Sequence, residues 1–403
     1  MTTILMTTGD DADGRARALQ LARGVVGRTS PNPAVGAALV RDGVVVGEGA
    51  THPPGGPHAE IVALRAAGDR ARGATLYVTL EPCGHHGRTP PCADALIAAG
   101  VAIVHYATDD PHPVAGGGAR VLRAAGVTVV PGEGAWAEEA RRINEAFLHW
   151  VIVRRPFVTV KWAMSLDGKI ATRAGESRWI TGDAARRRVH AVRDTTDAIL
   201  VGSGTALADD PALTTRLEGR HDPHHPLRVV LDGRGRLLAT ARLVAGRLPG
   251  RTLVATTAGS PPAWRAALTT AGVEVAVVPP GARGGVDLAA LLDDLGARDI
   301  TSLLVEGGAT VVASFVAAAL VDKYLVFAAP LVIGGGAAPG PVGGTGPTLL
   351  ANAPRLRLDA VERVGDDVAL TCYPIKAGGP RDRADRGILE VEPSGQGESP
   401  DRR

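Results

Sequence analysis

Short apolar runs alternate with helical segments along most of the chain, and this alternation restricts the fold more than any other feature. In the first part, strands are predicted at 35–40, 44–46, 75–80, 101–107 and 127–130, and helices at 15–23, 58–67, 92–99 and 118–125. Arg41-Asp42-Gly43, between the first two apolar runs, is a strong hairpin signal. Strands that alternate with helices pack in layers. The first part therefore predicts a layered α/β domain with a largely parallel sheet.

The pattern restarts at Arg154-Arg155-Pro156, after a helix predicted over 137–150. Beyond it, strands are predicted at 157–162, 198–201, 227–231, 252–255, 273–277, 302–305, 321–328 and 368–373, and helices at 262–271, 288–295 and 310–320. A chain of 403 residues has room for two domains. Residues 376–403 include 12 charged residues and show no apolar periodicity, which is typical of a disordered tail. We therefore expect domains at 1–150 and 151–375, followed by a tail.

Composition disfavours several functional classes. The net charge of +2 argues against a large electrostatic footprint for nucleic acid or an anionic membrane. An aromatic content of 3% disfavours a stacking surface for single strands. The sequence has no apolar run long enough to span a membrane, and no basic stretch followed by an apolar core near its start. We expect a cytoplasmic protein that binds neither nucleic acid nor membrane.

His58, Cys83 and Cys92 form the most specific chemical pattern in the chain. One imidazole and two thiolates suit tetrahedral zinc with a fourth position open to water. His58 and Cys92 are both predicted at helix N-termini, where the helix dipole favours a thiolate. Bound zinc lowers the pKa of water to about 7. Glu60, two residues after His58, is placed to carry a proton from that water to a leaving amine.

Such a His-x-Glu followed by Pro-Cys and a second Cys is the signature of zinc nucleobase deaminases. The gap between the cysteines is eight residues here, instead of two. The alternative is a closed structural zinc site with His52, His85 or His86 as the fourth ligand. Such a site would not require Glu60.

Four motifs of the first part resemble one enzyme family. They are residues 31–36 (PNPAVG), 57–60 (PHAE), 82–92 (PCGHHGRTPPC) and 110–113 (DPHP). They closely resemble the bifunctional deaminase–reductase family of riboflavin biosynthesis, and the resemblance extends over about residues 13–375. It implies a cytidine-deaminase-like α/β/α fold for the first domain, which would hydrolyse the ring amino group of a diaminopyrimidinone ribosylamine phosphate.

The resemblance also implies roles for individual residues of the first domain. Asn32 would contact the base, while Arg88, Asp110 and His112 would hold the ribose phosphate. A guanidinium at Arg88 also suits phosphate on its own chemistry. The family often has a histidine seven positions before the zinc histidine, where this chain has Thr51. Either the following loop re-aims His52 towards the site, or that substrate contact is altered.

The second part carries weaker signals of its own. Asp167-Gly168 reads as a turn after a strand. Glu306-Gly307-Gly308 lies between a predicted strand and helix, where free amides can hold a phosphate, although many such turns bind nothing. The chain has no Gly-x-Gly-x-x-Gly after a first strand, so an ordinary dinucleotide fingerprint is absent.

The same segments resemble the reductase domain of that family, which implies a dihydrofolate-reductase-like α/β fold and NADPH as the reductant. The matching runs are 175–181 (GESRWIT), 204–216 (GTALADDPALTTR) and 305–308 (VEGG). Substrate contacts are implied for Ser177, Arg193, Leu213, Arg216 and Glu306. Cofactor contacts are implied for Ala163, Trp179, Thr205, Asp209, Gly308, Ala309 and Thr310. Relatives often carry Ser where this chain has Gly233, so one cofactor hydrogen bond is expected to be missing.

The leading hypothesis is therefore an enzyme with two activities, a zinc-dependent deaminase followed by an NADPH-dependent reductase. It would act on small pyrimidine ribosyl phosphates, and we expect a homo-oligomer. A nucleic-acid deaminase is the second hypothesis, which would need a basic or aromatic-lined channel. A zinc-stabilised binding module without chemistry is the third, and four protein ligands on the zinc would favour it.

Overall fold

The computed structural model describes residues 9–85, 90–282 and 284–375, with side chains of the first helix from residue 13 onward. Its first part contains a five-stranded sheet in the order β2-β1-β3-β4-β5. The strands are β1 (Gly36–Arg41), β2 (Val44–Ala50), β3 (Thr75–Val78), β4 (Ile103–Tyr106) and β5 (Thr128–Pro131). The helices are α1 (Gly9–Val25), α2 (Ala59–Ala67), α3 (Cys92–Ala99), α4 (Gly118–Ala124), α5 (Gly134–Ile143) and α6 (Glu145–Val153), with a 3-10 turn at Gly68–Ala71. This confirms the predicted alternation of elements.

The prediction of a largely parallel first sheet was wrong for half of its strand pairs. β3, β4 and β5 are parallel, whereas β1 is antiparallel to both β2 and β3. The reason is the predicted hairpin, which the structure confirms. Asp42 and Gly43 have φ values of 51° and 74°, the left-handed conformation that a tight hairpin turn requires. As a result, β2 lies at the edge of the sheet, and β1 runs antiparallel to β3.

The second part contains a nine-stranded sheet in the order β10-β9-β8-β7-β11-β6-β12-β14-β13. The strands are β6 (Phe157–Ser165), β7 (Ala198–Gly202), β8 (Leu227–Leu231), β9 (Thr252–Thr256), β10 (Glu274–Val277), β11 (Ser302–Gly307), β12 (Lys323–Ala329), β13 (Leu356–Val364) and β14 (Asp367–Pro374). The helices are α7 (Asp183–Asp194), α8 (Ser203–Asp209), α9 (Arg242–Ala245), α10 (Pro262–Thr270), α11 (Leu288–Ala297) and α12 (Ala309–Ala317), with a 3-10 turn at Leu350–Asn352. The seven strands from β10 to β12 are parallel, so their carboxyl ends meet at one edge, where ligands bind in such sheets.

The sequence reading missed four elements of the second part, namely α7, α8, α9 and β13. Helix α7 is rich in arginine and buries only Ala185, Val189 and Asp194, so it lacks a broad apolar stripe. Strand β13 lies at the sheet edge and is largely exposed, so burial does not impose a clear pattern on it. Within the described residues, no helix is both long and apolar enough to cross a membrane.

The helix predicted over 137–150 is in fact two helices, α5 and α6, separated at Asn144. This residue leaves helical geometry, with φ −108° and ψ 17°. Its buried side chain instead bonds the backbone of Ala34 in both directions, accepting from the amide at 2.8 Å and donating to the carbonyl at 2.9 Å. Asn144 thereby ties α6 to the segment that precedes β1.

Removal of these two hydrogen bonds should destabilise the protein. We expect Asn144→Ala to lower the free energy of unfolding by about 2 kcal/mol, because the buried amide and carbonyl of Ala34 lose their partners. Urea denaturation would measure the change. Asn352→Ala, at an exposed position, is the matched control and should shift the midpoint little. Equal midpoints for both variants would contradict this account of Asn144.

Candidate functional site

The structure brings His58, Cys83 and Cys92 together at the starts of two helices. His58 is the N-cap of α2 and Cys92 is the first residue of α3, as the sequence predicts. Cys83 lies in the loop after β3, where its sulfur accepts a hydrogen bond from the Cys92 amide at 3.3 Å. Both cysteines are buried, and the three donor atoms lie within 4.8 Å of one another.

The donor geometry fits tetrahedral zinc. His58 Nδ1 lies 3.6 Å from the sulfur of Cys83 and 3.3 Å from that of Cys92. Ordinary Zn–S and Zn–N bonds at a tetrahedral angle separate sulfur and nitrogen by about 3.5 Å. The donor set of one imidazole and two thiolates is also the soft type that zinc prefers. These three residues could therefore hold the ion without rearrangement.

The environment of the cluster shifts the pKa values of the groups beside it. Glu60 is only 4% exposed, and burial, assisted by the charge of Cys83, raises the pKa of its carboxyl to about 7. A hydrogen bond with Cys92 lowers the pKa of the Cys83 thiol. Cys83 is thus favoured as a thiolate, and Glu60 is suited to exchange protons near neutral pH.

A cavity of about 250 Å³ opens onto this cluster. Its lining contains His58, Glu60 and Cys83 together with three of the predicted substrate contacts, Asn32, Asp110 and His112. Arg88 and His86 lie outside the described residues. The cavity is large enough for part of a small ligand and unites residues from four separate motifs.

Two questions left open by the sequence concern His52 and His85. Thr51 lines the cavity and its hydroxyl accepts the Val35 amide at 3.2 Å, whereas His52 is exposed and lies outside the lining. The loop therefore does not re-aim His52 into the site. His85 does line the cavity, and its Nδ1 is buried without a hydrogen-bond partner, yet it is not part of the donor cluster found among the described residues.

Glu81 is a site residue to which the sequence reading gave no role. Its carboxylate accepts the amides of Gly117 and Ala119 at 3.1 and 2.9 Å, and that of Asp110 at 3.3 Å. It therefore fixes the loop that carries Asp110 and His112. Its position within Glu81-Pro82-Cys83, next to a metal ligand, was the available signal.

A second and larger cavity, of about 1130 Å³, lies at the carboxyl ends of β6, β7 and β11. Its lining includes Ser177, Arg193, Arg216 and Glu306, four of the five predicted substrate contacts. All seven predicted cofactor contacts also line it, namely Ala163, Trp179, Thr205, Asp209, Gly308, Ala309 and Thr310. Leu213 is the exception, since its side chain packs in the apolar core.

A cluster of partly buried charged side chains lines the larger cavity. Arg193 donates two hydrogen bonds of 2.7 Å to the carboxylate of Glu306. Burial alone would raise the pKa of Glu306, but the charge and hydrogen bonds of Arg193 hold it at about 2. Lys161 lies beside this pair, and burial lowers the pKa of its ammonium against the opposing influence of Glu306.

Lys161 is a second residue that the sequence reading did not assign. It points into the larger cavity from β6, a strand that is otherwise mostly apolar. A lysine inside such a strand was a usable signal, because a buried ammonium needs a partner or a function. Near it, burial and the charges of Arg193 and Arg216 lower the pKa of His190 to about 4.

Another part of the lining of this cavity has features that suit a nucleotide. Helix α12 begins at Ala309, so its free amides face the cavity at Gly308–Thr310. Gly307 has a φ of 117°, a conformation that favours glycine. Trp179 is 67% exposed at the rim, and the guanidinium of Arg186 lies 4.7 Å from its ring centre. Gly233, where relatives often have Ser, is not in the lining.

Two family models match the chain. The model described as the RibD C-terminal domain matches residues 156–370. The model described as the cytidine and deoxycytidylate deaminase zinc-binding region matches residues 11–108.

Curated relatives and solved structures are similar over most of the chain. The riboflavin biosynthesis protein RibD of Escherichia coli K12 is 42% identical over 366 residues, 88% of this chain and 97% of the relative. RibD of Acinetobacter baumannii superposes with a TM-score of 0.80 at 36% identity, covering 91% of this chain and 99% of that one. A diaminohydroxyphosphoribosylaminopyrimidine deaminase/5-amino-6-(5-phosphoribosylamino)uracil reductase from Thermotoga maritima gives 0.79 at 36% identity, covering 90% and 98%.

The cysteines provide a direct test of the metal centre. We expect Cys92→Ser to lose most of the bound zinc, because it removes one of three soft ligands. The zinc content of purified protein, measured by elemental analysis, would show this. Cys372→Ser changes the remaining cysteine, which lies on β14 away from the cluster, and should keep the zinc content of the unchanged protein. Full zinc occupancy in Cys92→Ser would exclude this ligand set.

Proposed function

Because the chain belongs to the bifunctional deaminase–reductase family of riboflavin biosynthesis, we propose that its smaller cavity carries out the deamination and its larger cavity the reduction. The enzyme removes the ring amino group of 2,5-diamino-6-ribosylamino-4(3H)-pyrimidinone 5′-phosphate as ammonia, and then reduces the ribosylamino product to the ribitylamino form with NADPH. The observation that supports this division is the pairing of a His/Cys/Cys cluster and Glu60 in one cavity with a buried Arg–Glu–Lys cluster in the other.

In the proposed deaminase site, Glu60 moves the protons. When zinc is bound by His58, Cys83 and Cys92, it lowers the pKa of a water molecule to about 7. The Glu60 carboxylate takes a proton as water adds to the ring carbon, and returns it to the departing amino nitrogen. The second proton of the water goes to the ring nitrogen, so that ammonia leaves and a carbonyl remains. Asn32 orients the base. Asp110 and His112, with Arg88, hold the ribose phosphate.

In the proposed reductase site, this chain's residues orient the sugar and supply a proton. NADPH, when bound along Ala163, Trp179, Thr205, Asp209 and the Gly308–Thr310 turn, provides the hydride. Reduction of the ribosylamino carbon consumes that hydride and one proton, and opens the sugar ring. Lys161, which is partly buried, is the proton donor, and Glu306 keeps its ammonium in the cavity. Ser177, Arg193, Arg216 and Glu306, which line the larger cavity, bind the substrate.

We further propose the organisation of the protein around these sites. The deaminase domain comprises residues 1–150 and the reductase domain residues 151–375, since, among the described residues, the five-stranded sheet and the smaller cavity lie in the first stretch and the nine-stranded sheet and the larger cavity in the second. The protein is a homo-oligomer, because the edge strand β13 exposes Leu356, Leu358 and Val361 and pairs on one side only within the described chain. It works in the cytoplasm, where thiols stay reduced, and binds small substrates without nucleic acid or membrane.

Substitution of Glu60 separates the two activities. We expect Glu60→Gln to reduce ammonia release by about 1000-fold or more, because Glu60 is the carboxylate that contacts the His58–Cys83–Cys92 cluster and an amide cannot carry the proton. Reduction of the already deaminated compound should stay within about twofold of the wild-type rate. Ammonia and NADPH assays on zinc-loaded protein would measure both. Glu48→Gln, which changes a surface ion pair with Arg17, should leave both rates unchanged. Loss of both activities in a folded Glu60→Gln protein would contradict the division of function.

Substitution of Lys161 tests the proton donor. We expect Lys161→Met to lower the reductase kcat by about 100-fold and to leave ammonia release intact. Because burial lowers the pKa of Lys161, the wild-type reductase should lose activity on the alkaline side below pH 10.5, as the ammonium loses its proton. The residual activity of Lys161→Met should lack that alkaline decline. A pH profile of NADPH oxidation distinguishes these cases, and an unchanged rate in the variant would exclude this role.

A further inference from the structure

Two short segments, residues 27–30 and 194–197, pack against each other and join the two parts of the chain; we call this contact the junction. Asn32, two residues beyond the first segment, lines the smaller cavity. Arg193, immediately before the second segment, lines the larger cavity. The junction therefore lies within two residues of both proposed binding sites along the chain.

An ion pair between Arg28 and Asp194 is the centre of the junction. The two terminal nitrogens of Arg28 donate to the Asp194 carbonyl at 2.7 Å and to both carboxylate oxygens at 2.9 Å. The side chains are 25% and 5% exposed. Nη1 binds the backbone carbonyl and Nη2 binds the carboxylate, so these charge-assisted hydrogen bonds hold both the backbone and the side chain of Asp194. The ion pair therefore fixes how the segments 27–30 and 194–197 are oriented, as well as the distance between them.

Asp194 is held from the reductase side as well. Its carboxylate also accepts the His224 amide at 2.8 Å and lies 3.3 Å from Nε of Arg220. Asp194 is the last residue of α7, and Arg193 directly before it donates to Glu306 and to the Thr214 carbonyl. The position of Asp194 thus sets where the end of α7 presents Arg193 to the larger cavity.

A second contact reinforces the first. Ser30 donates to the Asp197 carboxylate at 2.9 Å, and the same oxygen accepts the amides of Thr301 and Ser302. Ser302 begins β11, the strand that carries Glu306. Gly27 leaves no room for a side chain, since a Cβ there would lie 2.5 Å from the Thr195 backbone.

The link from the junction to Asn32 is a closed turn. The Asn32 amide donates to the Thr29 carbonyl at 2.7 Å, and the Thr29 hydroxyl donates to the Asn32 carbonyl at 3.0 Å. Thr29 is buried. Displacement of Arg28 would therefore carry Asn32 with it.

We propose that Arg28 and Asp194 are positioning residues for both reactions: one ion pair orients the Asn32 turn in the deaminase and the Arg193 end of α7 in the reductase. This inference rests on the residue roles proposed above. It follows that a residue of the first part, remote in sequence from the larger cavity, controls how tightly the reductase binds its ribosylamino pyrimidine substrate.

The experiment compares Arg28→Ala with wild type in two separate assays, ammonia release without NADPH and NADPH oxidation with the already deaminated substrate. Arg28→Ala should raise KM about fivefold or more in both assays, while each kcat stays within about twofold, since neither reacting centre is touched. Arg28→Lys, which keeps the charge but not the paired geometry, should recover part of the loss.

Arg142→Ala is the matched control. It removes an ion pair between α5 and β13, at 3.1 Å from Asp359, and neither residue lines a cavity. Both KM values should stay at wild type in this variant. If Arg28→Ala proves too unstable to assay, Ser30→Ala tests the second contact and should raise both KM values in the same direction.

The outcomes are distinct. An unchanged reductase KM in folded Arg28→Ala would overturn the inference. An equal rise of both KM values in Arg142→Ala would also overturn it, because any lost ion pair between the two parts would then have the same effect. Failure of the proposed function would instead appear in the wild type, as an absence of ammonia release or of NADPH oxidation.

Discussion

The deaminase site depends on one constraint, the burial of three soft donor atoms and one carboxylate in the same small volume. Two thiols, an imidazole and Glu60 at such short distances would be costly to bury unless something compensates for their charges. A divalent ion does so, and the fold is arranged to bring its ligands together. His58 and Cys92 begin two helices, and Cys83 holds the first amides of α3. The short β-strands and the Glu81 carboxylate fix the loops between them.

The larger cavity depends on charged side chains and on the ends of parallel strands. There the carboxyl ends of parallel strands form a wide cavity, and the buried pair of Arg193 and Glu306 sets its charge. The pair keeps Glu306 ionised, and Glu306 in turn supports the ammonium of Lys161 in a buried place. Helix α12 adds free amides to the lining of the same cavity. One chain thus presents a small cavity beside a cluster that can hold zinc and a larger cavity that we propose binds NADPH and a sugar phosphate.

Most of the fold and the metal centre could be predicted from the sequence, because they depend on local patterns. Strand and helix alternation, the Asp42-Gly43 turn and the spacing of His58, Cys83 and Cys92 all carry short-range signals. The elements that were missed depend on tertiary context. The helix is interrupted at Asn144, whose side chain hydrogen-bonds to the backbone of Ala34. Lys161 has an anionic neighbour only because the folded chain brings Glu306, on β11, close to it. The junction between residues 27–30 and 194–197 has no local signal, since its partners lie 166 residues apart for Arg28 and Asp194.

The central claim is that two successive reactions occur in two cavities of this one chain. Zinc-loaded wild-type protein, given the diaminopyrimidinone ribosylamine phosphate and NADPH, tests it in a single time course of ammonia and NADPH. The account predicts that ammonia appears at once and that NADPH oxidation follows after a lag, since only the deaminated product is reduced. NADPH oxidation that precedes ammonia release, or the absence of both signals, would contradict it.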